Sequence, residues 1–225
     1  MLIKFVIQAI PTYAISCFKL PKGLIHELET MIRKFLWGYK NEGRKIHWVN
    51  WERLCEAKES GGMGFKEIEK LHDALLAKQV WCMMHNPDSL CYKVFKARFF
   101  PNCLILEANE CTVGSYAWKS ILSARDVVRK GMVWQVGNGQ AVCIREDKWL
   151  FDQVCKIVML PPPSLPPDAK VCTLIDPKSA TWKVDQIQQL FTPLDAKLIL
   201  SIPLGARLPL DRLIWSHTPT GVFTT

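Results

Sequence analysis

The chain has 225 residues, of which 49% are hydrophobic and 22% charged, and its mean hydropathy is +0.05. These values exclude a disulfide-stapled miniprotein and a highly charged disordered chain, and they fit one or two folded domains. Lysine and arginine number 29 against 21 acidic residues, a formal net charge of +8, which favours an acidic partner such as nucleic acid or an anionic surface.

The basic excess lies in the first two thirds of the chain: ten basic and six acidic residues over 1–60, twelve and nine over 61–150, seven and six over 151–225. Its denser stretches are Arg33, Lys34, Lys40, Arg44 and Lys45, then Lys93, Lys96 and Arg98, then Arg125, Arg129 and Lys130. Each reads either as a solvated helix face or as the electrostatic footprint of nucleic acid. The cysteines number nine, an odd count with no Cys-x-x-Cys, so reduced thiols in an intracellular protein are expected, with nucleus or cytoplasm left open. Cys82 and His85, followed by Cys91, Cys103 and Cys111, come nearest to a ligand set, but only the first pair is tight. Packed core cysteines and no metal or cofactor are expected.

In chain order, residues 2–18 read as an apolar helix kinked or split at Pro11. Ala14, Ile15 and Ser16 could mark a signal-peptide cleavage site, but Gln8, Pro11, Thr12 and Tyr13 interrupt the apolar run, and no membrane span is expected. Pro21 opens a helix over 22–37. Its apolar stripe is Ile25, Leu28, Met31, Ile32, Phe35 and Leu36, with Glu27, Glu29, Arg33 and Lys34 opposite and Gly38 as the stop. Residues 44–51, basic and bearing Trp48 and Trp51, read as a short extended piece or a packed loop.

Gly61, Gly62 and Gly64 break the chain before a helix over 68–84 that ends at Asn86-Pro87, and they lack the spacing of a phosphate loop. Further helices are expected over 90–99 and 115–129. Two strand-like runs, 132–136 and 141–144, flank Gly137-Asn138-Gly139, a hairpin signal. The proline-rich stretch 160–167 reads as a connector. Beyond it, two short helices cover 182–191 and 194–202, the second capped near Asp195. A strand-like unit from Leu213 stops before it can be paired, so the chain reads as cut off. The expected fold class is mainly α: a helical bundle with a small β-hairpin at about 132–144 and an irregular C-terminal extension. The segments are 1–60, 61–159, a linker at 160–170 and 171–225.

Hydrolase chemistry finds no support, since neither Gly-x-Ser-x-Gly nor His-Glu-x-x-His occurs. His26, His47, His72, His85 and His217 have no acid or serine partner at a recognisable spacing and read as packed or surface residues. Glu146 and Asp147 could serve a two-metal site, but with no second carboxylate-bearing strand in view they read as an exposed acidic turn. The tryptophans, nine in number, could stack on bases between basic residues, although most sit on apolar stripes that suit core packing.

Several ordered blocks carry a family resemblance: 3–21 (IKFVIQAIPTYAISCFKLP), 31–38 (MIRKFLWG), 46–55 (IHWVNWERLC), 61–65 (GGMGF), 74–79 (ALLAKQ), 96–101 (KARFFP), 115–118 (SYAW), 134–139 (WQVGNG) and 211–215 (DRLIW). Together they resemble the region after the polymerase core in plant LINE-type, non-LTR retrotransposon reverse transcriptases. The resemblance implies a helical thumb over 1–60 and a connector after it, following a polymerase palm and preceding a zinc-binding and ribonuclease H part. No Tyr-x-Asp-Asp occurs, so no catalytic residue carries over and no enzyme activity is expected of this stretch. Two positions depart from the pattern: the family's tryptophan is missing near Arg145, and Cys82 stands where relatives often carry arginine. The implied partners are an RNA/DNA duplex, contacted without regard to sequence, and the missing palm. Lys19, Lys22, Arg33, Lys34, Arg44 and Lys45 are the expected phosphate contacts. A stand-alone interaction scaffold that uses the 68–84 helix, or a transposon-derived relic without retained function, are the alternatives.

Overall fold

The computed structural model describes residues 12–37, 48–109, 114–151, 157–158 and 164–224. It is mainly α, with two small antiparallel sheets of two strands each among the described residues. Packing divides the chain into two units, one running to Lys130 and the other from Gly131 to Thr224.

The first unit contains α1 (Thr12–Cys17), α2 (Lys22–Leu36), α3 (Trp51–Cys55), α4 (Ile68–His85), α5 (Leu90–Phe99), α6 (Tyr116–Ser123) and α7 (Arg125–Gly131). α4 is its hub and packs against α1, α2 and α6. The hub helix buries Leu76, Ala77, Val80, Trp81 and Met83, together with one polar side chain, His72. Trp118 of α6 is fully buried, with the Phe99 and Phe100 rings nearly parallel to it at 4.9 and 5.4 Å.

α2 follows the expected helix, but its apolar stripe is split. Ile25 and Ile32 pack with Trp51, Leu54, Phe65 and Ile68, whereas Leu24, Met31 and Phe35 stay exposed. The stripe is wider than the surface that meets it, so only one flank is covered. The glycine cluster closes on itself: the amides of Gly62, Met63, Gly64 and Phe65 donate to the carbonyls of Ala57, Leu54, Glu56 and Leu54. Those amides are therefore spent within the turn.

The helix expected over 115–129 is two, broken at Ala124. Arg125 turns inward there. Its Nε donates to the Leu122 carbonyl at 3.2 Å, and one terminal nitrogen donates to the carbonyls of Leu106, at 3.3 Å, and Ala108. A buried guanidinium must find acceptors, and these carbonyls supply them. Arg129 also donates to Leu106, so this basic cluster staples a loop.

The second unit has strands β1 (Met132–Gln135), β2 (Ile175–Asp176), β3 (Thr181–Trp182) and β4 (Arg212–Trp215), with helices α8 (Val184–Leu190) and α9 (Pro193–Ser201). Its core includes Ile144, Trp149, Leu150, Val171, Leu174, Ile187 and Ile199. Leu165 and Ala169 also pack there, so 164–170 lies within this unit. The α9 cap is Thr192, whose hydroxyl accepts from the Asp195 amide at 3.2 Å.

β1 forms where expected but pairs with β4, in the register Met132 with Trp215 and Gln135 with Arg212. Two expectations are thereby corrected: 141–144 is not its hairpin partner, and the unit starting near Leu213 is paired. The cause is Asp211. Its Oδ1 accepts from the amides of Gly137 at 2.7 Å and Gly139 at 2.8 Å, and its Oδ2 from Ala141 at 2.8 Å. The glycine turn thus wraps a carboxylate instead of reversing a hairpin. The run after it bridges elsewhere, Cys143 against Lys170. The local hairpin is β2 with β3. Gly139 has φ +71, and a Cβ at Gly137 would stand 2.0 Å from the Pro209 carbonyl oxygen, so both positions require glycine.

Asp211→Ala should lower unfolding stability by about 2–4 kcal/mol, since three amides lose a charged acceptor. Urea denaturation of the full chain measures this, and a change below about 0.5 kcal/mol would contradict the assignment.

Candidate nucleic-acid interface

Of the six expected phosphate contacts, Lys19, Lys22, Arg33 and Lys34 fall in the first unit, while Arg44 and Lys45 lie outside the described residues. Lys19 sits in the α1–α2 connection and Lys22 opens α2, immediately after Pro21. Lys22 and Arg33 share a face of α2, about three turns apart, and Lys34 leaves that row.

The structure uses these cations unequally. Lys19 lies 3.9 Å from Asp73 and Lys22 3.2 Å from Glu69, so both answer to carboxylates of α4. The Lys22 side chain is 89% exposed, and a pair this wet contributes little and leaves the cation able to exchange partners. Arg33 folds back along its own helix, donating from Nε to the Glu29 carbonyl at 3.3 Å and from a terminal nitrogen to the Thr30 hydroxyl at 3.1 Å. It serves partly as a helix staple. Lys34 is exposed in the last turn of α2, where a cation also complements the helix dipole.

Backbone around Lys19 is held tightly. The Lys19 amide donates to the Ser120 hydroxyl at 2.8 Å, and its carbonyl accepts from the Tyr116 hydroxyl. His72 Nε2 lies 3.0 Å from the Phe18 carbonyl and 3.4 Å from the Leu20 amide. His72 is thus a packed residue, as expected. Three side chains from α4 and α6 pin the connection, a role its histidine spacing alone did not signal.

The other candidates have structural partners. His85 Nδ1 meets the Trp81 carbonyl at 3.0 Å and its ring stacks on Trp81 at 4.2 Å. Asp147 accepts from the Cys143 amide at 2.7 Å, while Glu146 is exposed. Among the described residues no group of three or more His, Cys, Asp or Glu side chains could hold a metal ion, and no helix is long and apolar enough to cross a membrane. Six tryptophans, 51, 81, 118, 149, 182 and 215, are buried; Trp48 is exposed.

The Cys55 thiol is pushed up to about 11, first by burial and then by the Glu67 and Glu29 carboxylates. Partial desolvation also raises the thiol of Cys91, although that residue is exposed. Because both effects favour the protonated form, less thiolate is present at a given pH than in the unfolded chain. Alkylation of Cys55 should therefore stay slow at pH 8 and rise with a midpoint near 11. In urea the same thiol should titrate near its ordinary value, and peptide mapping by mass spectrometry distinguishes the two profiles.

Comparison with known proteins now places the chain. It is 37% identical over 147 residues, 65% of its own length and 96% of the relative's, to the uncharacterized mitochondrial protein AtMg00310 of Arabidopsis thaliana. The chain belongs to the family of that protein. It is also 28% identical over 232 aligned positions to a second Arabidopsis thaliana protein, named "Putative ribonuclease H protein At1g65750". That alignment covers 99% of this chain and 37% of the relative, so the chain spans little more than a third of the longer protein's length. No known family profile matches the chain, and no solved structure matches it.

Proposed function

We propose that the chain is a plant retroelement-derived segment, the thumb and connector of a LINE-type reverse transcriptase, which contacts the template-primer backbone and carries no catalysis of its own. The observation that carries this reading is the alignment of 99% of the chain with a stretch of a much longer protein named for ribonuclease H. The ordered blocks from IKFVIQAIPTYAISCFKLP to DRLIW support the polymerase relationship, and the absence of Tyr-x-Asp-Asp supports a non-catalytic role. Exposed Lys19, Lys22 and Lys34 on the first unit supply the cations such a contact needs.

Backbone contacts of this kind release counterions and lose affinity steeply with salt. Fluorescence anisotropy of the full chain with a 20-base-pair RNA–DNA duplex tests them. The double variant Lys22→Glu/Lys34→Glu should bind about tenfold more weakly and flatten the log–log salt slope by about 2. Unchanged affinity and slope would refute the assignment.

The exposed ridge of Leu24, Met31 and Phe35 favours a second reading, in which the first unit is an interaction scaffold or a relic lacking the protein that once covered it. Met31→Lys/Phe35→Lys should then suppress self-association in sedimentation velocity. A monomeric parent chain would remove that reading.

A further inference from the structure

Two exposed aromatic rings stand beside Lys19. Phe18 and Tyr116 come from the α1–α2 connection and the first turn of α6, with ring centroids 6.2 Å apart and an interplanar angle of 18°. They are 42% and 57% exposed. Burial does not hold them there. Hydrogen bonds do: Tyr116 donates to the Lys19 carbonyl, Ser120 accepts from the Lys19 amide at 2.8 Å, and His72 contacts the Phe18 carbonyl at 3.0 Å. An exposed pair of rings fixed by polar ties to two helices is a rigid apolar face that costs little to order on binding.

The cations near these rings along the chain are Lys19, next to Phe18, Lys22, in the first turn of α2, and Lys119, exposed one turn after Tyr116. Two acids, Asp73 and Glu69, pair with Lys19 and Lys22 across wet surface. An exposed aromatic pair flanked in the chain by lysines matches a strand whose bases are unpaired, because stacking needs an open base face while the lysines follow the phosphates. A duplex keeps its base faces covered. We infer that Phe18 and Tyr116 form a stacking platform for single-stranded nucleic acid. This rests on the reading above that the first unit contacts nucleic acid, and it names the form of strand held at this point.

The test uses the full chain with a 20-nucleotide oligo(dT), against the 20-base-pair duplex, by fluorescence anisotropy. Phe18→Leu and Tyr116→Leu should each weaken oligo(dT) binding about 5- to 100-fold, and Phe18→Leu, which leaves the bond from Tyr116 to the Lys19 carbonyl intact, should keep the duplex affinity within about twofold. Phe18→Trp, which enlarges the face, should retain or strengthen it. Asp73→Asn should tighten oligo(dT) binding by releasing Lys19. In the parent chain, an oligonucleotide carrying 5-iodouracil should photocrosslink to peptides containing Phe18 or Tyr116, a readout that needs no substitution. Crosslinks confined to other peptides, or leucine variants that bind oligo(dT) like the parent, overturn the platform while the backbone reading survives through duplex binding. Failure of the parent chain to bind either probe overturns both.

Discussion

Two buried polar groups, the imidazole of His72 and the hydroxyl of Ser120, organise the first unit. Each sits on a helix whose neighbours are apolar, and each finds its partners in the backbone of 18–20, where the chain leaves α1 and has not yet entered α2. A buried imidazole without partners would be costly, and so would buried amides and carbonyls in an irregular connection. Each side satisfies the other. The direction in which α2 departs, and with it the position of Lys22 and the exposure of Phe18, follows from these bonds.

The aromatic core around Trp118 plays a different part. Stacked rings at 4.9 and 5.4 Å contribute large buried area without specifying which loops lie over them. Arg125 supplies that specificity. By giving its donors to carbonyls at 106, 108 and 122, it ties the loop ahead of α6 to the end of that helix. A cationic residue that composition counts toward a basic surface is thereby withdrawn from it, and Arg33 is withdrawn in part by its own helix. Formal charge overstates what a phosphate would meet.

Much of the fold was legible where one local signal sufficed. The α2, α4 and α5 helices stand within a residue of their expected bounds, α2 because its apolar spacing acts over a few turns and α4 because the glycine cluster and Asn86-Pro87 bracket it. The mainly α class followed from those elements. Misreadings arose where a distant residue competed for a local signal. Gly137-Asn138-Gly139 carries the composition of a hairpin turn, yet Asp211 claims its amides, and nothing near residue 137 foretells that. Just past the break at Ala124, Arg125 likewise finds its acceptors at Leu106 and Ala108, a pairing no nearby residue foretells. The lysines of the candidate interface were readable from sequence; their pairing with Asp73 and Glu69 was not, since it depends on how α2 lies along α4. Phe18 and Tyr116 were hidden for a related reason. An aromatic residue on an apolar stripe signals burial, and only the geometry of the connection leaves these two in water.

The pairing of β1 with β4 bears on the order of events during synthesis. β1 is the first element of the second unit and β4 the last, so its first strand leaves the ribosome long before its partner exists. Until Asp211 follows, the amides at 137, 139 and 141 have only water to bind. A closure spanning this much chain is slow compared with helix formation. Until then the second unit waits as a nascent chain with an unpaired strand edge, the interval in which a chaperone would have something to hold.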